Sequence, residues 1–296
     1  MRLTDIANGG APVPFSRISA DVPLATDIQD RLAAFGLLDP PSDGKFGQVS
    51  NWALRAFLER AGQPAATQLD AALAKRLLGE NTLFPLKPGA DLAGRLISRM
   101  QGAGHWVARH PGCVNIVYAE GINPQGVLNA NAANAYNDSR FLIRIGADGV
   151  PVMAGAWIAT TQPGRKYSLD PTLRNPGGAA HITLGQHKAW VVGIHNASKP
   201  SAHEALVQAQ PLRITRDRNN DLRRDGDPGD LGMFGINQHH GWSRSDDDIG
   251  VDSAGCLVCR SQSGHAEFMK LVKTDARYGV SQGYTFMTSV LDGRTV

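Results

Sequence analysis

The 296-residue sequence is short of several things, and each shortage closes off a class of protein. Glutamate is nearly missing, with only Glu59, Glu80, Glu120, Glu204 and Glu267, while Gly 33 and Pro 17 punctuate the chain, which argues against a mainly helical protein. The three cysteines, Cys113, Cys256 and Cys259, cannot all pair, so at least one thiol is left for chemistry, metal or burial. Lys and Arg number 30 against 27 Asp and Glu, and a dispersed excess of +3 is too small to imply a nucleic-acid partner. The longest apolar stretch, around Val150 to Ala159, is too short to span a bilayer. The opening MRLTDIANGGAPVPF has one Arg, then Asp5, and no apolar run of signal-peptide length, so it does not read as a secretory signal, and any export is expected to use another route or to have removed a signal already. A hydrophobic content of 42% with no low-complexity tract or repeat predicts globular structure, and the length suits two domains, expected as a monomer without membrane insertion.

The texture changes along the chain. Residues 1–22 are aperiodic and contain Gly and Pro, which predicts a flexible lead. From Ala25 the pattern turns helical, with Ile28, Leu32 and Phe35 at i, i+4 and i+7 and Gly36 as the stop. A turn-rich loop from Asp39 to Gly47 precedes a second helix around Trp52 to Leu58, and Leu69 to Leu78 makes a third. Residues 23–80 are therefore expected to be a three-helix bundle and residues 81–89, with two prolines, a linker. After one more helix (Ala90 to Arg109), residues 90–296 read as mainly β. Strands are expected at Asn115–Ala119, Phe141–Ile145, Val150–Thr160, Ala189–Ile194, Leu212–Thr215, Gly235–His239 and Tyr284–Leu291, with one late helix from Ala266 to Val272. The fold class expected is α+β: a small helical bundle followed by a larger, mainly antiparallel β domain.

In the bundle, Ile28-Gln29, Leu32, Gly36, the turn Asp43-Gly44-Lys45-Phe46-Gly47, Ala53 to Phe57 and Leu69-Asp70 resemble the three-helix peptidoglycan-binding domain found beside wall-lytic enzymes. The β region carries Phe234-Gly235-Ile236-Asn237-Gln238-His239-His240-Gly241 followed by Ser253-Ala254-Gly255-Cys256, with His240 sixteen and His239 seventeen residues before the cysteine. This arrangement resembles the L,D-transpeptidase catalytic domain. The resemblance implies a Cys256 thiolate attacking stem peptides of peptidoglycan, a histidine taking its proton, and backbone N–H groups near Gly255 stabilising the oxyanion, with Ser253 orienting the turn. Alternation along a strand puts His239 and His240 on opposite faces. His239 fits the Asn-x-His-x-Gly form better.

Two departures from that pattern matter. Ala254 stands where the family commonly has His, and Val258 stands where it often has an Arg two residues after the cysteine. Arg260, four residues after, is the nearest replacement for binding a donor carboxylate. With that anchor displaced, water becomes a plausible acyl acceptor and the chain reads as a hydrolase of endolysin type, with a cross-linking transferase as the alternative. Trp242, His195 and Asn237 are the candidate substrate-binding residues around the same motif.

No cofactor is expected. Cys256-Leu257-Val258-Cys259 is a C-x-x-C that could join His239 or His240 around zinc, which keeps a zinc-dependent hydrolase as an alternative, alongside a wall-binding protein without chemistry. Asp217-x-Asn219-x-Asp221 with Asp225-Gly226-Asp227 looks like a calcium loop, but Leu222 and Pro228 occupy positions that need Gly and Glu, so an acidic turn held by Asx bonds is the better reading. His203-Glu204 does not make H-E-x-x-H. Glu120, Glu204 and Glu267 carry no recognisable carboxylate-pair context. The partner expected is peptidoglycan, and the site of action the cell wall.

Overall fold

The structure, a computed structural model, describes residues 1–224, 228–242 and 245–296. The first unit contains α1 (Leu3–Ala7), the short strand β1 (Val13–Pro14), α2 (Val22–Ala34), α3 (Gln48–Arg60), β2 (Gln68–Leu69) and α4 (Ala71–Leu78). Its apolar core is built at helical spacing from Leu24, Ile28, Leu32, Leu54, Phe57, Leu58, Leu73 and Leu77, and Phe35 stacks on Phe57 with ring centres 5.3 Å apart. Asp21 and Asp70 cap α2 and α4 by accepting from the Leu24 and Leu73 N–H groups.

Residues 1–22 are not a flexible lead. Leu3, Ile6 and Ala7 lie on one face of α1 and are buried with Ile18 in the bundle core, while β1 pairs antiparallel with β2. One and a half turns of helix are too few to show a period in sequence, which is why the packing is not apparent there.

Helix α5 (Leu92–Gly102) leads into the second unit, followed by β3 (Asn115–Glu120), β4 (Asp138–Ile145), β5 (Pro151–Thr160), α6 (Arg165–Leu169), β6 (Ala179–Ile182), β7 (Gly185–His195), β8 (His203–Gln208), β9 (Leu212–Asp217), β10 (Gly229–Gly232), β11 (Gln238–His240), β12 (Leu257–Cys259), α7 (Gln262–Val272), α8 (Ala276–Val280) and β13 (Phe286–Asp292). Eight strands close into a barrel in the order β11-β12-β5-β4-β3-β13-β7-β8, and β10-β9-β6 form a separate small sheet. Most pairs are antiparallel; β11 with β12 and β13 with β3 are parallel. The chain is thus a mixed α and β protein with a large, mainly antiparallel sheet and several helices. Helix α7 covers one face of the sheet through Phe268, Met269 and Val272, and α5 covers the other through Leu96, Ile97 and Met100. Strands β6, β8, β10 and β12 were not expected from sequence.

The bundle is fastened to the barrel rather than strung from it. Asp39, 3% exposed, meets Lys188 of β7 at 2.6 Å, accepts from the Tyr284 hydroxyl at 2.8 Å and lies 3.6 Å from Arg277 of α8. The Trp106 indole donates to Ala33 O at 2.8 Å, and Arg109 N donates to Gly36 O at the C-terminus of α2. The segment expected as a linker is itself packed, with Phe84 buried in the bundle core and Lys87 N bonded to Gly149 O.

Candidate functional site

The cysteine turn owes its shape to Gly255, whose φ is +120° and where a Cβ would come within 2.6 Å of Ala180 O. Ser253 ties the turn together, its Oγ accepting from Gly255 N at 3.1 Å and donating to Cys256 O at 2.9 Å. The turn then enters β12, which runs beside β11 so that Leu257 N donates to Asn237 O. This register brings Asn237 against the thiol: Asn237 N donates to Cys256 Sγ at 3.4 Å, and the S–H reaches Gly235 O at 3.5 Å. Cys256 is partly exposed, yet the protein around its sulfur pushes the thiol up to about 11, with burial outweighing the Asn237 N–H. Cys256 is therefore a thiol at neutral pH, and among the described residues no imidazole is hydrogen-bonded to its sulfur. The resting state holds no thiolate–imidazolium pair.

Beside the thiol lies a group of five histidines. His195 stacks on His239 with ring centres 3.8 Å apart, His203 stacks on His240 at 3.7 Å, and His265 of α7 stands edge-on to His203 and His240. Their tautomers follow from their partners. His239 Nδ1 lies 2.8 Å from His240 O, His240 Nδ1 lies 2.9 Å from Gly241 O, and His203 Nδ1 lies 2.8 Å from Ser201 O. A carbonyl can only accept, so each of these rings carries its proton on Nδ1 and offers Nε2 as a base. The Asn237 carboxamide oxygen accepts from Gln208 N, which turns its NH₂ toward His195 Nδ1 at 2.9 Å and places that ring's proton on Nε2. Burial lowers His239 well below its ordinary value, His195 to about 4, His265 to about 2 and His240 below its ordinary value, and repulsion from neighbouring rings adds to it. Neutral imidazoles stacked this closely are in the state that general bases need.

The other expected site residues divide. Trp242 is 51% exposed, edge-on to His240 at 5.5 Å, with its backbone N–H on Asp252 Oδ2. Arg260 is committed elsewhere, its guanidinium 2.6 Å from Asp246. Cys259 is fully buried in the apolar core beside Leu257 and Phe268, opposite Ala159 of β5 and paired in register with His240 of β11. Among the described residues no group of three or more His, Cys, Asp or Glu side chains is arranged to hold a metal ion. In the acidic loop Asp217 accepts from the N–H groups of Asp221 and Leu222, and Asn219 donates to Asp221, so these oxygens serve the turn itself. Asp225, Gly226 and Asp227 lie outside the described residues.

A second polar centre has no signature in the sequence. Register places Glu120 at the end of β3 and Asp138 at the start of β4, two positions beyond the pair Tyr118 and Arg140. The Thr161 hydroxyl touches both carboxylates, at 2.6 Å from Glu120 and 3.0 Å from Asp138, and Arg224 lies 2.6 Å from Glu120. Burial first, then the Glu120 charge, raises the Asp138 carboxyl to about 7. Only the strand register, absent from the sequence, brings these residues together.

The chain matches no family model, and no curated protein matches it. Among solved structures it shows a likeness to a fused Zn-dependent amidase/peptidase/peptidoglycan-binding domain-containing protein from Clostridium acetobutylicum, at TM-score 0.28 and 11% identity over 94% of this chain and 96% of that one. At that score the likeness carries no argument about fold or activity. Among the described residues no helix is long and apolar enough to cross a membrane.

Proposed function

We propose that this chain is a peptidoglycan-active cysteine enzyme that opens peptide bonds of wall stem peptides through an acyl-enzyme on Cys256, with water as the acceptor. The observation that carries the reading is the juxtaposition of a partly exposed thiol on a positive-φ glycine turn with neutral imidazoles whose Nδ1 protons are fixed by backbone carbonyls. His239 is the base of choice because it shares a strand face with Asn237, which holds the sulfur, and stacks on His195, which Asn237 also holds.

The chemistry balances on these groups. As the sulfur attacks the scissile carbonyl carbon, its proton passes to His239 Nε2, and the carbonyl oxygen gains the negative charge. The Cys256 N–H, which makes no hydrogen bond among the described residues, is the donor available to that oxygen. Collapse expels the amine, which takes the proton from His239 and leaves a thioester; water, deprotonated by the same ring, then releases the acid and restores the thiol. The resting thiol and neutral imidazole support proton transfer concerted with attack rather than a standing ion pair. The bundle would supply wall affinity and raise local substrate concentration on an insoluble polymer. Mass spectrometry of peptidoglycan fragments after incubation with the wild type and with Cys256→Ala tests this. Stem-peptide cuts made by the wild type alone support it, exchange products in place of cuts turn it toward transpeptidation, and unchanged fragments with both proteins overturn it.

A further inference from the structure

The proposed activity leaves a gap that sequence already exposes: Val258 cannot bind a carboxylate, and Arg260 is paired with Asp246. The structure offers another cation. A cavity of about 710 Å³ opens beside Glu120, walled by Asn129, Asn131, Gln162, Arg224 and Arg294. Arg294 is held by both oxygens of Asp292. The Arg224 side chain is 16% exposed; one edge of its guanidinium faces Glu120, and its Nε and Nη1 are buried with no hydrogen-bond partner among the described residues. Buried guanidinium N–H groups left unmet are costly, and each of these two donors can give a charge-assisted hydrogen bond to a carboxylate; a two-point fork on either edge would also use Nη2, the nitrogen that faces Glu120. The wall amides are partly spent on one another, with Asn129 donating to Asn137 O and accepting from Asn131 N and Gln162 donating to Asn131 Oδ1, which fixes the polar wall that Ala130, Ala132 and Ala133 complete.

The cavity also joins the cysteine turn through a short piece of chain. Thr160 at the end of β5 pairs with Val258, Thr161 contacts Glu120, Gln162 lines the cavity, and Gly164 N donates to Ser253 O at 2.8 Å. The 160–164 segment thus contributes Gln162 to the cavity wall and also supports the turn that carries the nucleophile.

We infer that Arg224 is the anchor for the terminal carboxylate of the peptide substrate, in a polar cavity that shares the 160–164 segment with the Cys256 turn. This rests on the reading of the chain as a stem-peptide enzyme. Glu120 is then a placeholder that keeps Arg224 aimed into the cavity when no ligand is bound, and it competes with the ligand for the same guanidinium.

That competition makes the test specific. In the Cys256→Ala background, which stops turnover, calorimetry would compare an N-acetylated stem tetrapeptide ending in a free carboxylate with the same peptide ending in a carboxamide. The carboxylate is expected to bind about tenfold more tightly, the worth of one charge-assisted pair. Adding Arg224→Met removes the preference and Arg224→Lys weakens it, while Glu120→Gln increases it several-fold, an outcome that a merely structural ion pair would not give. Should Arg224→Met fail to fold, the double variant Glu120→Gln/Arg224→Met leaves no unpaired charge on Glu120 and serves instead. Equal binding of the two peptides, binding of neither, or a preference that survives loss of Arg224 overturns the anchor. Wall cleavage by the wild type alongside such a result would leave the proposed function standing; Arg224-dependent carboxylate binding by a protein that cleaves nothing would support the anchor and overturn the function.

Discussion

The bundle and the barrel bury different kinds of groups. In the bundle the interior is aliphatic and aromatic, and its main internal polar side chain, Gln29, is met by Asp43, Lys45 O, Ser50 and Gly44 N, which fix the loop before α3. The barrel instead packs Arg140 over the Phe268 ring at 3.7 Å, Arg277 against Asp275, Glu120 beside Asp138, and five imidazoles on one another. Groups of the second kind are costly to desolvate and gain little net stability from pairing. Perturbed groups of this kind gather at functional sites, and this is the unit to which the proposed chemistry is assigned. The first unit can be built for stability and attachment alone.

The sharpest way to break this comparison is to remove the thiol. Cys256→Ala is expected to abolish fragment release while binding to purified sacculi, measured by co-sedimentation, stays at the wild-type level, because the proposed wall contacts belong to the bundle. Next to it, His239→Ala should lower turnover by about 10²–10⁴, the usual worth of a general base. His240→Ala should be milder, since alternation along β11 points His240 away from the face that Asn237 and His239 share. Loss of sacculus binding with Cys256→Ala would put wall recognition in the barrel and end the division of labour.

Acid should separate the two units next. All nine histidines lie beyond residue 104, and burial holds His181 and His195 near 4, His265 near 2 and His239 well below its ordinary value. An unfolded imidazole takes up its proton near pH 6.5, whereas these refuse it until the pH is lower. Between those limits the unfolded chain binds more protons, and stability falls as pH falls. Asp138 works in the opposite sense, since its folded carboxyl keeps a proton up to about 7 and the unfolded one loses it near 3.8, but it is one group against several. Hydrogen exchange followed by peptide should therefore show protection in β8 and β11 declining from pH 6.5 toward 4, while α2 and α3, which carry no histidine, hold theirs longer. Equal loss in both units would mean that the barrel histidines do not control acid unfolding.

The joint between the units comes third. Asp39→Ala leaves Arg277 and Lys188 without their shared carboxylate at a buried contact, and Asp275→Ala removes the other partner of Arg277, which burial would discharge and Asp275 holds charged. Each is expected to cost about 3–5 kcal/mol, the range for breaking a buried ion pair, read as a fall in the denaturant midpoint. A change under 1 kcal/mol in Asp39→Ala would mean that the bundle is only loosely held.

Legibility follows the same division. Ile28, Leu32 and Phe35 repeat at helical spacing and could be read as a helix face at once, as could strands such as Asn115–Glu120, whose residues are mostly β-formers. The Ser253-Ala254-Gly255-Cys256 turn was visible as a motif because its shape depends on local residues. What sequence hid depends on register. Glu120 and Asp138 meet only because β3 and β4 pair as they do, and Arg224 reaches them from a loop over a hundred residues from Glu120. Strand β12 escaped notice because three residues are too few to show alternation, and Leu257-Val258 read as the interior of a C-x-x-C. The isolated His195, His203 and His265 gave no sign that strand pairing would stack them with the His239-His240 pair.

The smallest expected effect sharpens the comparison at a single residue type. Asp70 and Asp275 are both aspartates at helix N-caps: Asp70 accepts from Leu73 N at 2.8 Å, and Asp275 accepts from Arg277 N at 2.8 Å. Asp70 sits half-buried and among the described residues its carboxylate takes no other hydrogen bond, so Asp70→Ala should cost about 1 kcal/mol, the ordinary value of a cap. Asp275 is 1% exposed and also holds Val114 N and the Arg277 guanidinium, so the same substitution there removes a cap, a strand contact and a buried ion pair together. Urea unfolding of the two variants side by side measures the difference directly, with Asp70→Asn, which keeps the capping oxygen, as the control expected to recover most of the loss. Similar costs for Asp70→Ala and Asp275→Ala would show that the buried network adds nothing beyond the cap, and that the polar interior of the barrel is not held in place by its ion pairs.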